Sequence, residues 1–347
     1  MAAENALTRP PMQTEPLDRV VALARHRRTI GALLVGIAVI CALLGLETLV
    51  FHLTTDPLAD VHAYFDAAVR LNTGSPLYSG TANPDAPEFY RYPPLLAIAF
   101  RPLALLPYPV AAGIWELFVL IALAATIWRI GVRRPATWFA LAILARPIAW
   151  TVAIGQAQAV VTVLLALGSP LTVALAANLK IFPALAALWW VGRRDWQSLR
   201  RFVGWSIVLG VVQVVLAPTS TLDFLRTISL SQVGDVVNIS PYALSPVLWA
   251  AFVLLGIGVA LRFARTSWGW TLAVALGVLV SPRLLTYMLS SILAVLRTPT
   301  SRHEGRTGDP SEMGGPATGR REPGSGNRLG WHLGARDFVS RGSRGLR

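Results

Sequence analysis

Residues 30–51 read IGALLVGIAVICALLGLETLVF, with Glu47 as the only charge in the stretch. At 1.5 Å of rise per residue, a helix of this length crosses a hydrocarbon core of about 30 Å. The cluster Arg25-His26-Arg27-Arg28 precedes it, and basic clusters flank the cytoplasmic ends of spans. The stretch is longer than a signal-peptide core and has no A-x-A-like cleavage site. It therefore predicts an uncleaved first membrane helix, with the N-terminus cytoplasmic and Phe51 at the outer surface.

Working outward, apolar windows recur at roughly 93–107, 109–130, 135–153, 157–168, 171–191, 202–218, 245–261, 267–282 and 284–296. Hydrophobic residues make up 54% of the chain and charged residues 14%, against about 45–50% and about 25% in soluble domains. The expectation is an all-α polytopic membrane protein. A soluble enzyme, a nucleic-acid-binding module and a secreted disulfide domain are excluded. Pro102, Pro147 and Pro183 interrupt apolar windows, so some segments are expected to be re-entrant or paired half-helices.

The net charge is +13, and every basic residue except Lys180 is arginine. The arginines cluster between apolar windows, at Arg133-Arg134, Arg193-Arg194, Arg200-Arg201, and Arg262 with Arg265. That is the pattern of cytoplasmic loops rather than of a nucleic-acid surface, so no nucleic-acid partner is expected. Cys41, the single cysteine, can form no internal disulfide.

From His52 to Tyr92 runs a long loop carrying Asp56, Asp60, Asp66, Asp85 and Glu88 against Arg70 and Arg91, a balance that suits the outer face. Asp56-Pro57 has the form of an N-cap followed by proline at the first helical position. A helix from Pro57 to Leu71 would place Asp60, Tyr64, Ala67 and Leu71 on one stripe, closed by Asn72-Thr73-Gly74 and lying along the membrane surface.

Residues 1–29 read as a polar cytoplasmic N-terminus and 30–296 as the membrane domain. Residues 297–347 are rich in Gly, Arg, Ser and Pro, the composition of a disordered basic tail. The last apolar window, 284–296, is short for a span, so the membrane domain is expected to be cut short there.

Several residues could carry chemistry. Lys180 sits inside an apolar window, where a charge costs about 2.5–3.5 kcal/mol on insertion scales. It could pair with Glu47 or Glu116, reach the headgroups, or hold a lipid phosphate. Asp60 is either a solvated carboxylate or a general base toward a sugar hydroxyl. Arg91, in Arg91-Tyr92-Pro93-Pro94, could clamp phosphate oxygens or anchor the chain at the interface. Gln156 and Gln158 place two amides at a break between apolar windows, for helix packing or substrate contact. Arg283, in Ser281-Pro282-Arg283, brings another cation to the outer surface. His52 and His62 flank Asp60 without the spacing of a compact metal site, so neither metal nor cofactor is expected. P-loop, G-x-S-x-G and H-E-x-x-H motifs are absent, which removes the usual markers of ATP-driven transport and of serine or zinc hydrolysis.

Asp60-x-x-x-Tyr64-x-x-Ala67, Gly74-Ser75-Pro76-Leu77-Tyr78, Tyr92-Pro93-Pro94, Arg101-Pro102-Leu103, Gly155-Gln156, Lys180-x-x-Pro183, Gly192-Arg193-Arg194-Asp195-Trp196 and Ser281-Pro282 follow one another along the chain. The series resembles glycosyltransferase family 87, integral membrane enzymes of the GT-C type, over about residues 30–296. The resemblance implies a GT-C-like bundle of roughly 8–10 transmembrane segments, with an outer-face amphipathic helix after the first span.

It also implies transfer, with inversion, of mannose or another sugar from a polyprenyl-phosphate donor to a lipid or cell-envelope glycan acceptor. Asp60 would be the base, and Lys180 would meet the donor phosphate. Tyr64, Arg91, Gln156 and Arg283 complete the candidate site. The expected setting is the plasma membrane, with the site on the extracytoplasmic side. Family members often continue Ser-Pro with Trp and His, where Arg283 and Tyr287 stand here. The alternatives are a transporter or flippase for a lipid-linked or anionic solute, and a non-catalytic scaffold.

Overall fold

The computed structural model describes residues 15–78, 83, 86, 89–227 and 237–296, with side chains from residue 28. Asp85, Glu88, the first fourteen residues and the basic tail lie outside the described residues. Those that are described belong to one compact unit, Met1–Pro299. Among them there are helices and no strands.

The first helix, α1 (Glu15–Thr55), begins before the predicted start at residue 30 and carries a span-capable stretch at Arg28–Thr55. Its apolar side chains face outward; Leu33, Val35 and Leu43 are more than 60% exposed, as expected for a surface that lipid covers. It touches the bundle where Gly45 meets Ala145.

After a three-residue turn comes α2 (Ala59–Thr73). The predicted stripe is real: Tyr64 and Ala67 are fully buried, with Leu71 packed behind them. Gly74 closes the helix in the left-handed region (φ 73°), donating to the carbonyls of Arg70 and Leu71. The N-cap expectation fails. Asp56 accepts hydrogen bonds from Thr55 Oγ1 and pairs with His52 Nδ1, each at 2.8 Å, so its carboxylate is spent on the end of α1. The N-terminal amides of α2 are satisfied from elsewhere: Leu58 N–H donates to Ala153 O (3.0 Å) and Asp60 N–H to Ile154 O (3.2 Å).

The chain continues through α3 (Pro94–Phe100), α4 (Tyr108–Ile130), α5 (Pro135–Ile143) and α6 (Ala145–Ala153), the last two bent by 66°. A hairpin follows, α7 (Gln158–Leu167) and α8 (Pro170–Leu179), turned by Gly168 and capped by a reciprocal Ser169–Thr172 capping box. A 3-10 turn at Phe182–Ala187 leads to α9 (Leu188–Arg193) and α10 (Trp196–Leu216). Then come α11 (Pro218–Thr227), α12 (Pro241–Leu244), α13 (Pro246–Phe263), α14 (Gly269–Leu279) and a final 3-10 segment, Thr286–Leu296.

The count of spans differs from the sequence expectation. Among the described residues four helices are long and apolar enough to cross a bilayer, or five if the bent α5–α6 pair is one span. The windows at 157–168, 267–282 and 284–296 fold as helices of 10–11 residues, each too short to cross alone, and 171–191 divides into α8, a 3-10 turn and α9. Their breaks fall where polar residues stand, at Gly155–Ala157 and at Lys180. Several apolar windows are thus broken into shorter helices among the described residues.

Candidate active site

The break between α6 and α7 builds the centre of the site. Gly155 adopts φ 65°, and a Cβ there would run into the Val61 side chain of α2. Glycine thus satisfies both the left-handed backbone and the close approach of α2. Trp115 of α4 locks the turn by donating Nε1–H to Gly155 O at 2.7 Å. With α2 tied to the carbonyls of Ala153 and Ile154, the first turn of α2 stands directly against Gln156.

Gln156 is fully buried and ordered on every side. Its Nε2 donates to Asp60 Oδ2 (2.7 Å) and to Tyr92 OH (3.1 Å), while its Oε1 accepts from Tyr64 OH (2.6 Å). Tyr64 OH accepts in turn from the Ala157 amide at 3.3 Å. One amide side chain therefore fixes the half-buried Asp60 carboxylate through one of its oxygens. Burial pushes the Asp60 carboxyl up to about 6, against the downward pull of Lys180, Arg91 and the Gln156 hydrogen bond, with Asp56 adding a smaller upward push. Burial also drives the Tyr64 phenol well above its ordinary range, reinforced by Tyr92 and Asp60, which keeps it a proton donor to Gln156.

Lys180 sits where α8 stops. Its backbone is extended (φ −145°, ψ 131°), and Pro183 follows, where no helix can regain the lost amide. The ammonium lies between two aromatic faces, 5.1 Å from the Tyr92 ring and 5.0 Å from the Tyr287 ring. It donates to Gln158 Oε1 at 2.6 Å. Gln158 Nε2 donates to Ser291 Oγ at 2.6 Å, and the Ser291 and Thr162 hydroxyls share a bond of 2.7 Å. The amide pair read from the sequence thus divides its work: Gln156 holds the carboxylate and Gln158 the cation.

Arg91 bears electrostatically on Asp60, and Arg283 on Arg91. Burial and the Arg283 charge pull the Arg91 guanidinium below its ordinary value, against the opposing pull of Tyr92, Tyr287 and Asp60. The Ser281-Pro282-Arg283 turn is clamped by Asn238, whose Nδ2 donates to Pro282 O (2.9 Å) and whose Oδ1 accepts from Leu284 N–H (3.0 Å).

All six residues singled out from the sequence, Asp60, Tyr64, Arg91, Gln156, Lys180 and Arg283, come into one neighbourhood. The histidines do not join it: His52 stacks on Trp150 (4.7 Å) and His62 on Tyr108 (3.8 Å). Among the described residues no three His, Cys, Asp or Glu side chains are grouped to hold a metal ion. Sequence reasoning missed Asn238 and Ser291, which carry no local signal, and quoted Tyr92, Gln158 and Tyr287 without assigning them to the site. A carboxylate facing several cations can deprotonate a hydroxyl while the cations receive a developing phosphate charge.

The family model described as glycosyltransferase family 87 matches residues 89–299, more than half of the chain. A polyprenol-phosphate-mannose-dependent alpha-(1-2)-phosphatidylinositol pentamannoside mannosyltransferase of Mycolicibacterium smegmatis is 30% identical over 245 residues, covering 60% of this chain and 58% of that protein. The protein of the same name from Mycobacterium tuberculosis is 28% identical over 209 residues, covering 54% of this chain and 47% of that protein. The chain thus spans about half the length of the curated relatives it matches. No solved structure matches it.

Proposed function

The chain belongs to glycosyltransferase family 87, and from that premise we propose that it transfers a sugar from a polyprenyl-phosphate donor to a lipid or envelope-glycan acceptor. Mannose is the sugar named for both relatives and is the donor sugar proposed here. The observation that carries the reading is the Asp60 carboxylate, held by Gln156 and faced by Lys180 and Arg91.

In the proposed step Asp60 takes the proton of the acceptor hydroxyl. The hydroxyl oxygen attacks the anomeric carbon from the face opposite the leaving group. The bond from that carbon to the phosphate oxygen breaks, and its electron pair leaves with polyprenyl phosphate. Lys180, Arg91 and Arg283 receive the phosphate charge, and the anomeric configuration inverts. Asp60 then returns its proton to solvent or to the departing phosphate.

The arrangement of charge along the spans supports an extracytoplasmic site. In α10, Arg200 and Arg201 stand near one end, while Gln213, about 20 Å further along, accepts from Leu95 N–H beside the site (3.2 Å). In α13, the end opposite Arg262 adjoins the Asn238 clamp on Arg283. Both helices carry arginine away from the site, and arginine-rich ends lie in the cytoplasm.

The test uses membranes containing the full chain or its Asp60→Asn variant, supplied with radiolabelled polyprenyl-phosphate mannose and a lipid-acceptor extract. The expected result is labelled product from the wild type, reduced by about 10²–10⁴ in the variant, the range for losing a general base. Equal transfer by both would remove Asp60 from the mechanism. Movement of donor across the bilayer without transfer, unchanged in Asp60→Asn, would favour the transporter.

A further inference from the structure

At the end of the bundle away from Asp60, two arginine-bearing segments distant in sequence are packed into one surface. The C-terminal turn of α9 meets the C-terminal turn of α13 at Gly192 and Ala264. A Cβ at Gly192 would collide with that of Ala264 and lie 2.9 Å from Leu261 O. This close approach sets Arg193-Arg194 beside Arg262 and Arg265, and Arg200-Arg201 follow in the first turns of α10. Arg194, Arg200, Arg201, Arg262 and Arg265 are exposed.

Two further observations give this surface a ligand chemistry. Asp195, the carboxylate inside the cluster, caps α10, accepting from Ser198 N–H at 3.0 Å, and the exposed arginines around it outnumber its single negative charge. Large apolar side chains stand exposed around the arginines: Trp196 at 53%, Trp268 at 65% and Phe263 at 43%. Tryptophan concentrates at the level of lipid headgroups, and arginine forks match phosphate oxygens. Arginine with exposed tryptophan suits a ligand that has both a phosphate and acyl chains, which a free phosphate ion lacks.

We propose that the surface formed by the α9–α10 turn and the end of α13 binds the headgroup of an anionic glycerophospholipid of the surrounding leaflet. The site is separate from the sugar-transfer centre and does not depend on the activity proposed for it.

Native mass spectrometry of the purified full chain, titrated with phosphatidylglycerol or phosphatidylcholine, tests the proposal. Phosphatidylglycerol should bind at least about tenfold more tightly than phosphatidylcholine. Arginine-to-glutamine changes at Arg194, Arg262 and Arg265 should each weaken it about fivefold, from the usual contribution of one surface cation. The R194K/R262K/R265K variant, which keeps the charge and loses the fork, should bind more weakly than the unaltered chain and more tightly than the R194Q/R262Q/R265Q variant. Binding of phosphatidylglycerol to the unaltered chain should also fall as ionic strength rises, a measurement that needs no variant to fold. Equal binding of the two lipids, salt-insensitive binding, or unchanged binding by the triple glutamine variant would overturn the proposal.

Discussion

The break at Gly155–Ala157 and the break at Lys180 both interrupt apolar stretches, and both deliver polar groups to the same site. They are secured by different means. At the first, backbone amides of α2 bond to the carbonyls of Ala153 and Ile154, and Trp115 seals Gly155. At the second, the cation is held through side chains, by Gln158 and the faces of Tyr92 and Tyr287. Backbone bonds fix the carboxylate end of the site closely, because moving Asp60 means moving α2. Side-chain bonds leave the cation adjustable, which suits the role proposed for it, receiving the charge of a departing phosphate.

The comparison breaks most visibly at Gly155. Gly155→Val adds a Cβ where Val61 already lies, on a backbone with φ 65°. The left-handed backbone costs about 1–2 kcal/mol and the overpacking about 1–3 kcal/mol. A loss of about 2–5 kcal/mol is therefore expected in detergent melting experiments, together with loss of transfer as α2 shifts. The pair Gly155→Ala and Val61→Ala should be less destabilising together than the sum of the singles, because the second change removes the collision. Strict additivity would mean that α2 does not rest on this contact.

These two breaks also show what a sequence can reveal. The α2 stripe of Asp60, Tyr64, Ala67 and Leu71 was legible because helical periodicity is local, and so was the Gly74 stop. The apolar windows exposed the fold class, since hydrocarbon-facing surface must be written into composition. The Asp56 cap was misread because His52, one turn back on α1, competes for the same carboxylate. The breaks inside the apolar windows were less legible, because hydropathy sees apolar character but not where a helix stops, so 171–191 reads through Lys180. Contacts such as Gln213 with Leu95, 118 residues apart, and Asn238 with Leu284 leave no local pattern. Lys180 stood out for another reason: a charge inside an apolar window is expensive enough to be conspicuous.

The next effect in size probes the adjustable break. Gln158→Leu removes the acceptor for the Lys180 ammonium and the amide that donates to Ser291. A hydrogen bond to a charged group contributes about 1.5–3 kcal/mol, so kcat/KM should fall about 10–100-fold. If Gln158 acts by positioning Lys180 for the donor, the loss should appear in the KM for polyprenyl-phosphate sugar more than in the KM for acceptor. Gln158→Asn, which keeps an amide on a shorter arm, should recover part of it. An equal rise in both KM values would mark the residue as support for the helix pair alone.

The smallest effect distinguishes the two ends by pH. The base proposed here must be ionised, and burial pushes the Asp60 carboxyl up to about 6, so transfer should decline as pH falls through that value and level off above it. The Gln156 hydrogen bond favours the ionised carboxylate. Gln156→Leu removes that preference, so Asp60 should hold its proton to higher pH and the acid limb should move upward. Gln158→Leu leaves the Gln156 bond to Asp60 in place and reaches Asp60 only through Lys180, so it should act chiefly by lowering the plateau. The two glutamines, two residues apart on one turn, would then be separated by the axis on which each acts: one moves the pH of half-maximal rate, the other the rate itself. An acid limb that stayed fixed in Gln156→Leu would assign the titration to another group and detach the first break from the base.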